Sequence, residues 1–214
     1  MQFDGFNEKD FSVFAIDGLE ARMEKLIERV RPKLEELGKH FAAELSSSTG
    51  EEMFYHVAKH ARRTVNPPND TWVAFSSSNR GYKKLPHFQI GLFETHIFIW
   101  FAVIYESPVK KEFAALLKKE MDSINKNIPD NFVWSQDHMK PDAFSHLDVK
   151  NGKLSDFINS LANVKKAELL CGIHIPKEEA IRMDGDTFIH KADSVFQTLM
   201  PLYQLKKKIY SQEG

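Results

Sequence analysis

From Leu19 onward, apolar residues recur at steps of three and four: Met23, Leu26, Ile27, Val30, Leu34, Leu37, Phe41 and Leu45. That period belongs to a helix that lays one stripe on a core. Asp17, with Glu20 three residues on, has the form of a capping box at its start. Pro32 falls inside the run, so the helix is expected to kink there or to restart with proline in a first turn. Residues 53–65 fit two patterns, a helix through Met53, Val57 and Ala61 or a strand over Phe54-Tyr55-His56-Val57. A β-rich centre follows. Trp72-Val73-Ala74-Phe75, His87 to Phe93 and His96 to Glu106 read as strands, the last two joined at Glu94-Thr95 as a hairpin. The third is apolar on both faces and is expected at the centre of the sheet.

Ser107-Pro108 has the form of N-cap and first helical position. The stripe Val109, Phe113, Leu116, Leu117, Met121 and Ile124 then predicts one helix. A short strand is expected at Phe132 to Trp134, mostly loop over 135–153, and a short helix at Leu154 to Leu161. Leu169 to Ile175 reads as a strand stopped by Pro176. Asp186 is expected to cap a final helix, with Ile189, Ala192, Val195, Phe196 and Leu199 inward. Lys206, Lys207 and Lys208 lie in its last turn, where positive charge complements the helix dipole. Helices and strands do not alternate regularly. The expected class is therefore α+β: a single domain over 1–214, its mixed or antiparallel central sheet packed by long amphipathic helices.

A chain of 214 residues buries roughly 70% of its unfolded surface and needs no disulfide or metal staple. Twenty-nine Lys and Arg against thirty Asp and Glu leave a net charge of −1, so bulk electrostatics favours neither nucleic acid nor an anionic membrane. The longest apolar run, 97–105, is about nine residues against the roughly 20 of a membrane-crossing helix. No secretory signal is expected in the first residues, and Cys171 is the sole thiol. A soluble protein of a reducing cytoplasm is the expectation.

Neither the phosphate-loop pattern, the dinucleotide glycine pattern nor the Gly-x-Ser-x-Gly elbow occurs. Cys171 sits among Leu169, Leu170 and Ile173, where burial would make it inert. His56 and His60 have helical i, i+4 spacing, but Val57 stands where a zinc protease needs Glu. Asp137-His138 and His146-x-Asp148 offer imidazole and carboxylate in a loop, as polar loops commonly do without binding a metal. No metal or cofactor is expected.

The stretch from Ser76 to His87 is more informative. It combines small hydroxyls and Gly81 with Arg80, Lys83 and Lys84, the residue types that hold phosphate or carboxylate. His87 and Gln89 share one face of the strand that follows, and His174 is a second strand-borne histidine. The candidate ligand-binding set is Arg80, Lys83, His87, Gln89 and His174. Two-histidine phosphoesterases place Thr or Ser two residues after each histidine, whereas Gln89 and Pro176 stand here.

Asp17-Gly18-Leu19-Glu20-Ala21-Arg22-Met23, Arg31-Pro32-Lys33-Leu34 and above all Leu85-Pro86-His87-Phe88-Gln89-Ile90-Gly91-Leu92 resemble the YktB-like family of uncharacterised bacterial proteins. The resemblance covers nearly the whole chain. It implies a compact α+β protein of a Bacillus-type cytoplasm and assigns no activity or site residue. Two functions compete: non-catalytic binding of a small anionic ligand or a protein partner, and phosphoester hydrolysis or transfer with strand histidines as acid and base. They separate on whether His87, His174 and Arg80 converge in one cleft.

Overall fold

Asn7 starts the first helix by accepting the Lys9 N–H at 3.0 Å, while Asp10 accepts the Asn7 N–H at 2.8 Å. This is a capping box that helix periodicity does not reveal. The computed structural model describes residues 3–210, in which α1 (Glu8–Phe11) leads to α2 (Leu19–Lys25). The box expected at Asp17 is not formed. Gly18 occupies the cap with a left-handed φ of 82°, and no side chain bonds the helix start. Ahead of Pro32 the helix widens into a π turn over Leu26–Val30, and α3 (Arg31–Thr49) restarts with the proline in its first turn. That position suits a residue without an N–H.

Residues 53–65 resolve as the strand β1 (Phe54–Val57). Then come β2 (Asp70–Ser76), β3 (His87–Phe93) and β4 (His96–Val103). Next are α4 (Lys110–Lys119), α5 (Met121–Asn127), β5 (Val133–Ser135), β6 (Phe144–Ser145), α6 (His146–Val149) and α7 (Lys153–Asn163). β7 (Leu169–Pro176), α8 (Lys177–Ala180) and α9 (Gly185–Tyr210) complete the fold. The sheet runs β1-β2-β3-β4-β7-β5-β6, with every pairing antiparallel. The α+β expectation holds, and β4 is the central strand, buried along its whole length.

Local capping departs from the sequence reading in several places. Ser107 does not cap α4; its hydroxyl donates to the Lys84 carbonyl at 3.2 Å, and Val109 precedes the helix without a side-chain cap. The expected single helix breaks at Glu120 into α4 and α5. Asp186 lies inside α9, and Asp184 accepts the Thr187 N–H in its place at 2.8 Å. Within 135–153 the chain forms β6 and α6 as well as loop. Lys206 is buried, bonded to Glu51 at 2.8 Å, Ser77 at 2.7 Å and Tyr203 at 3.0 Å. It ties α9 to the sheet rather than only facing its dipole.

The two faces of the sheet differ. One carries Val73, Phe75, Phe88, Ile90, Ile99, Phe101 and Cys171, packed under α3, α4, α7 and α9. The other carries Trp72, Ala74, Phe93, Phe98, Trp100 and Leu170, and its apolar cluster includes no helical residue. Chain from 58–69, 77–86 and 136–143 lies over this second face, through Ala58, Tyr82 and His138. Among the described residues no helix is long and apolar enough to cross a membrane.

Candidate functional site

Register decides which polar groups share the loop-covered face. Gln89 stands opposite Ala74 on β2 and Trp100 on β4, and His56 of β1 stands opposite Ala74 from the other side. A buried hydrogen-bond chain results. The Trp100 indole donates to Gln89 Oε1 at 3.1 Å, the Gln89 amide donates to His87 Nε2 at 2.8 Å, and His87 Nδ1–H donates to the Leu85 carbonyl at 2.7 Å. Both ring nitrogens of His87 are therefore used. Burial pushes its pKa down to about 3, so the ring is neutral.

Leu85 is also where the preceding loop turns. Gly81, at φ +146°, lets the backbone double back over the sheet. Ser76 and Ser78 hold the turn from within. Ser76 Oγ accepts the Ser78 N–H at 3.3 Å, and Ser78 Oγ accepts the Arg80 N–H at 3.3 Å. The hydroxyls counted as ligand donors in the sequence thus serve the loop itself. Ser77 points to the other face, accepting from Lys206 at 2.7 Å.

The loop leaves a cavity of about 580 Å³, lined by His56, Ser78, Arg80, Gly81, Tyr82, Lys83, Lys84 and Leu85. This is within the size range of small-molecule sites. The Tyr82 ring lies 6.0 Å from His56 and packs edge-on to His87 at 4.8 Å. Its hydroxyl accepts the Trp72 indole N–H at 3.0 Å. Burial raises the phenol to about 12, so it stays protonated. His56 is fixed by a 2.8 Å bond between Nε2 and the Ser78 carbonyl. Lys83 is paired with Glu106 at 3.1 Å, whereas Arg80 and Lys84 have no ion-pair partner among the described residues.

Of the five residues named from sequence, Arg80 and Lys83 line this cavity. His87 and Gln89 do not line it: His87 packs against the Tyr82 ring, and Gln89 is bonded to His87. His174 does not join them. It faces the same side of the sheet, four residues along and two strands across from His87, about 16 Å away by strand geometry. There it stacks on His96 at 4.0 Å, and burial beside that ring lowers its pKa to about 3. His56 and His60 do not converge either, since His60 turns to Thr71 Oγ1 at 3.3 Å. The ring wall formed by His56 and Tyr82 arises from β1–β2 pairing, a long-range contact that no local pattern announces.

The chain matches the family described as a domain of unknown function (DUF1054) over residues 6–203. It is 55% identical to a UPF0637 protein of Bacillus velezensis over 204 residues, 95% of this chain and 97% of the relative. A UPF0637 protein of Bacillus licheniformis is 54% identical over the same shares. One of Bacillus cereus is 54% identical over 205 residues, 96% of this chain and 99% of the relative. The chain belongs to this family, in agreement with the motif resemblance.

Proposed function

We propose that the cavity under the 77–86 loop binds a small planar anion, a ring compound carrying phosphate or carboxylate, and that the protein acts by binding without catalysis. One observation carries the reading: ring surfaces from Tyr82 and His56 share a cavity with Arg80 and Lys84, whose charges are not spent on an ion pair among the described residues. A planar guanidinium suits either anion, and an aromatic wall suits the ring. The rival reading, phosphoester chemistry by His87 and His174, has less support. His87 has no free nitrogen, and His174 lies across the sheet.

The test is a thermal-shift screen of nucleoside monophosphates and aromatic carboxylates, followed by calorimetry on the hits. A ligand at 100 times its dissociation constant adds about 2.7 kcal/mol of stability. Arg80→Ala should weaken binding about tenfold or more, since a hydrogen bond to a charged group contributes about 1.5–3 kcal/mol. Tyr82→Ala should weaken it as well. If no member of this class stabilises the chain, or Arg80→Ala binds as tightly as the parent, the reading fails.

A further inference from the structure

Beyond Trp72 a second polar cluster sits under the 136–143 loop. Glu168, 2% exposed, accepts the His138 backbone N–H at 2.8 Å, the His138 Nδ1–H at 2.7 Å and the Tyr105 N–H at 3.2 Å. One ligand atom each from Asp137, His138 and Glu168 falls within 4.8 Å of the others. Acids beside a histidine are ordinary on a protein surface. What sets this cluster apart is Asp70.

Asp70 lies two residues before Trp72 on the same face of β2, and the Trp72 ring is 6.1 Å from that of His138. Asp70 is 1% exposed, and neither of its carboxylate oxygens has a hydrogen-bond partner among the described residues. Among the charged groups that act on it, His138 comes first and Arg63 second, and His138 in turn feels Asp70. A buried carboxylate without a partner is costly, so native proteins almost always complete one. The ring nitrogen of His138 that does not face Glu168, Nε2, also has no hydrogen-bond partner among the described residues.

We propose that Asp137, Glu168 and His138 Nδ1 hold a divalent first-row metal ion, with Asp70 as the outer carboxylate for the imidazole. The ion takes the place of the Nδ1 proton, which passes to solvent, and the bound imidazole carries its one proton on Nε2. Nε2–H then donates to Asp70 through one water, since the two groups make no direct contact within 4 Å. This is the usual outer-shell arrangement of a ligating histidine, and it supplies the partner that Asp70 lacks. Two carboxylates and one imidazole suit ions of the zinc or manganese class. The site is separate from the anion cavity, and neither reading depends on the other.

Calorimetric titration of the full chain with zinc chloride, and separately with manganese chloride, tests the proposal alongside thermal unfolding. One ion per chain and a raised melting temperature are expected from at least one metal. Asp137→Asn and His138→Gln should each weaken binding at least 100-fold. Asp70→Asn should weaken it about tenfold without abolishing it, the usual effect of losing an outer-shell partner. His190→Gln, at an exposed position on α9, should change nothing. Should His138→Gln fail to fold, Asp137→Asn on the loop decides alone. No saturable binding of either ion, binding that survives Asp137→Asn, or binding lost in His190→Gln would each overturn the site.

Discussion

At the residue scale, what was legible was local chemistry. Arg80 and Lys83 stood out because they sit with small hydroxyls and Gly81 in the stretch that joins two strands, and both line the cavity. His87 and Gln89 stood out as polar residues on one strand face, but only the structure shows them bonded to each other with the Tyr82 ring against His87. Gln89 is the link on which that arrangement rests. Gln89→Leu would leave the Trp100 N–H and His87 Nε2 both buried without partners. At about 1–3 kcal/mol for each unsatisfied group, the expected loss in a urea titration is about 2–6 kcal/mol. A loss below about 0.5 kcal/mol would show that water replaces the amide. Cys171 behaves as its apolar neighbours imply. It is 1% exposed in mid-strand, and burial pushes its thiol well above the ordinary range. A thiol-reactive reagent near neutral pH should label it only once the chain unfolds. Stoichiometric labelling of the folded protein would contradict this.

At the element scale, periodicity located strands and long helices well and their ends poorly. Strand character depends on alternation and apolar runs, which β3, β4 and β7 carry in sequence. Helix ends depend on which polar group turns toward which backbone N–H. Asp17, Ser107 and Asp186 all had the right residue type and none caps its helix, while Asn7 and Asp184 do that work. The centre of the sheet yields a prediction that propensity alone would miss. A Cβ on Gly172 would lie 2.0 Å from the Ile99 carbonyl oxygen and 2.6 Å from the Trp100 Cα, backbone atoms of the neighbouring strand. Gly172→Ala should therefore destabilise, although alanine ordinarily suits a strand no worse than glycine. Overpacking costs about 1–3 kcal/mol, and contact with backbone puts this site at the upper end. Phe101→Ala, on the helix-covered face of β4, should cost about 3–5 kcal/mol through the cavity it leaves. Equilibrium denaturation measures both, and a neutral Gly172→Ala would mean that β4 and β7 can move apart freely.

At the scale of the whole molecule, the two-faced sheet governs how stability responds to pH. Alternation in the sequence shows that strands have two faces; it does not show that all the helices choose one of them. The other face, roofed by loops, gathers His60, His87, His96 and His174. Burial lowers their pKa values from 6.5 to about 4, 3, 4 and 3 respectively. Between pH 6.5 and those values the unfolded chain takes up protons that the folded chain refuses. Their contribution to stability is therefore complete above pH 6.5 and declines as pH falls through the window. Asp70 works the other way. Burial raises its folded pKa from 3.8 to about 6, so its contribution is present at low pH and declines as pH rises through that interval. Burial lowers the His138 pKa but the bond and charge of Glu168 outweigh it and hold it above the ordinary value, so its contribution is complete below 6.5 and declines as pH rises beyond that. Two opposing groups do not cancel four, and each uncompensated proton is worth about 1.4 kcal/mol per pH unit. With chelator present to keep the Asp70 cluster metal-free, the urea midpoint should fall steadily from pH 7 to pH 4.5. In the same conditions His174→Phe should flatten the slope by about one proton, because the variant keeps a ring against His96 and removes one refused proton. A parent midpoint that is level across that range would show that these histidines reach water in the folded state.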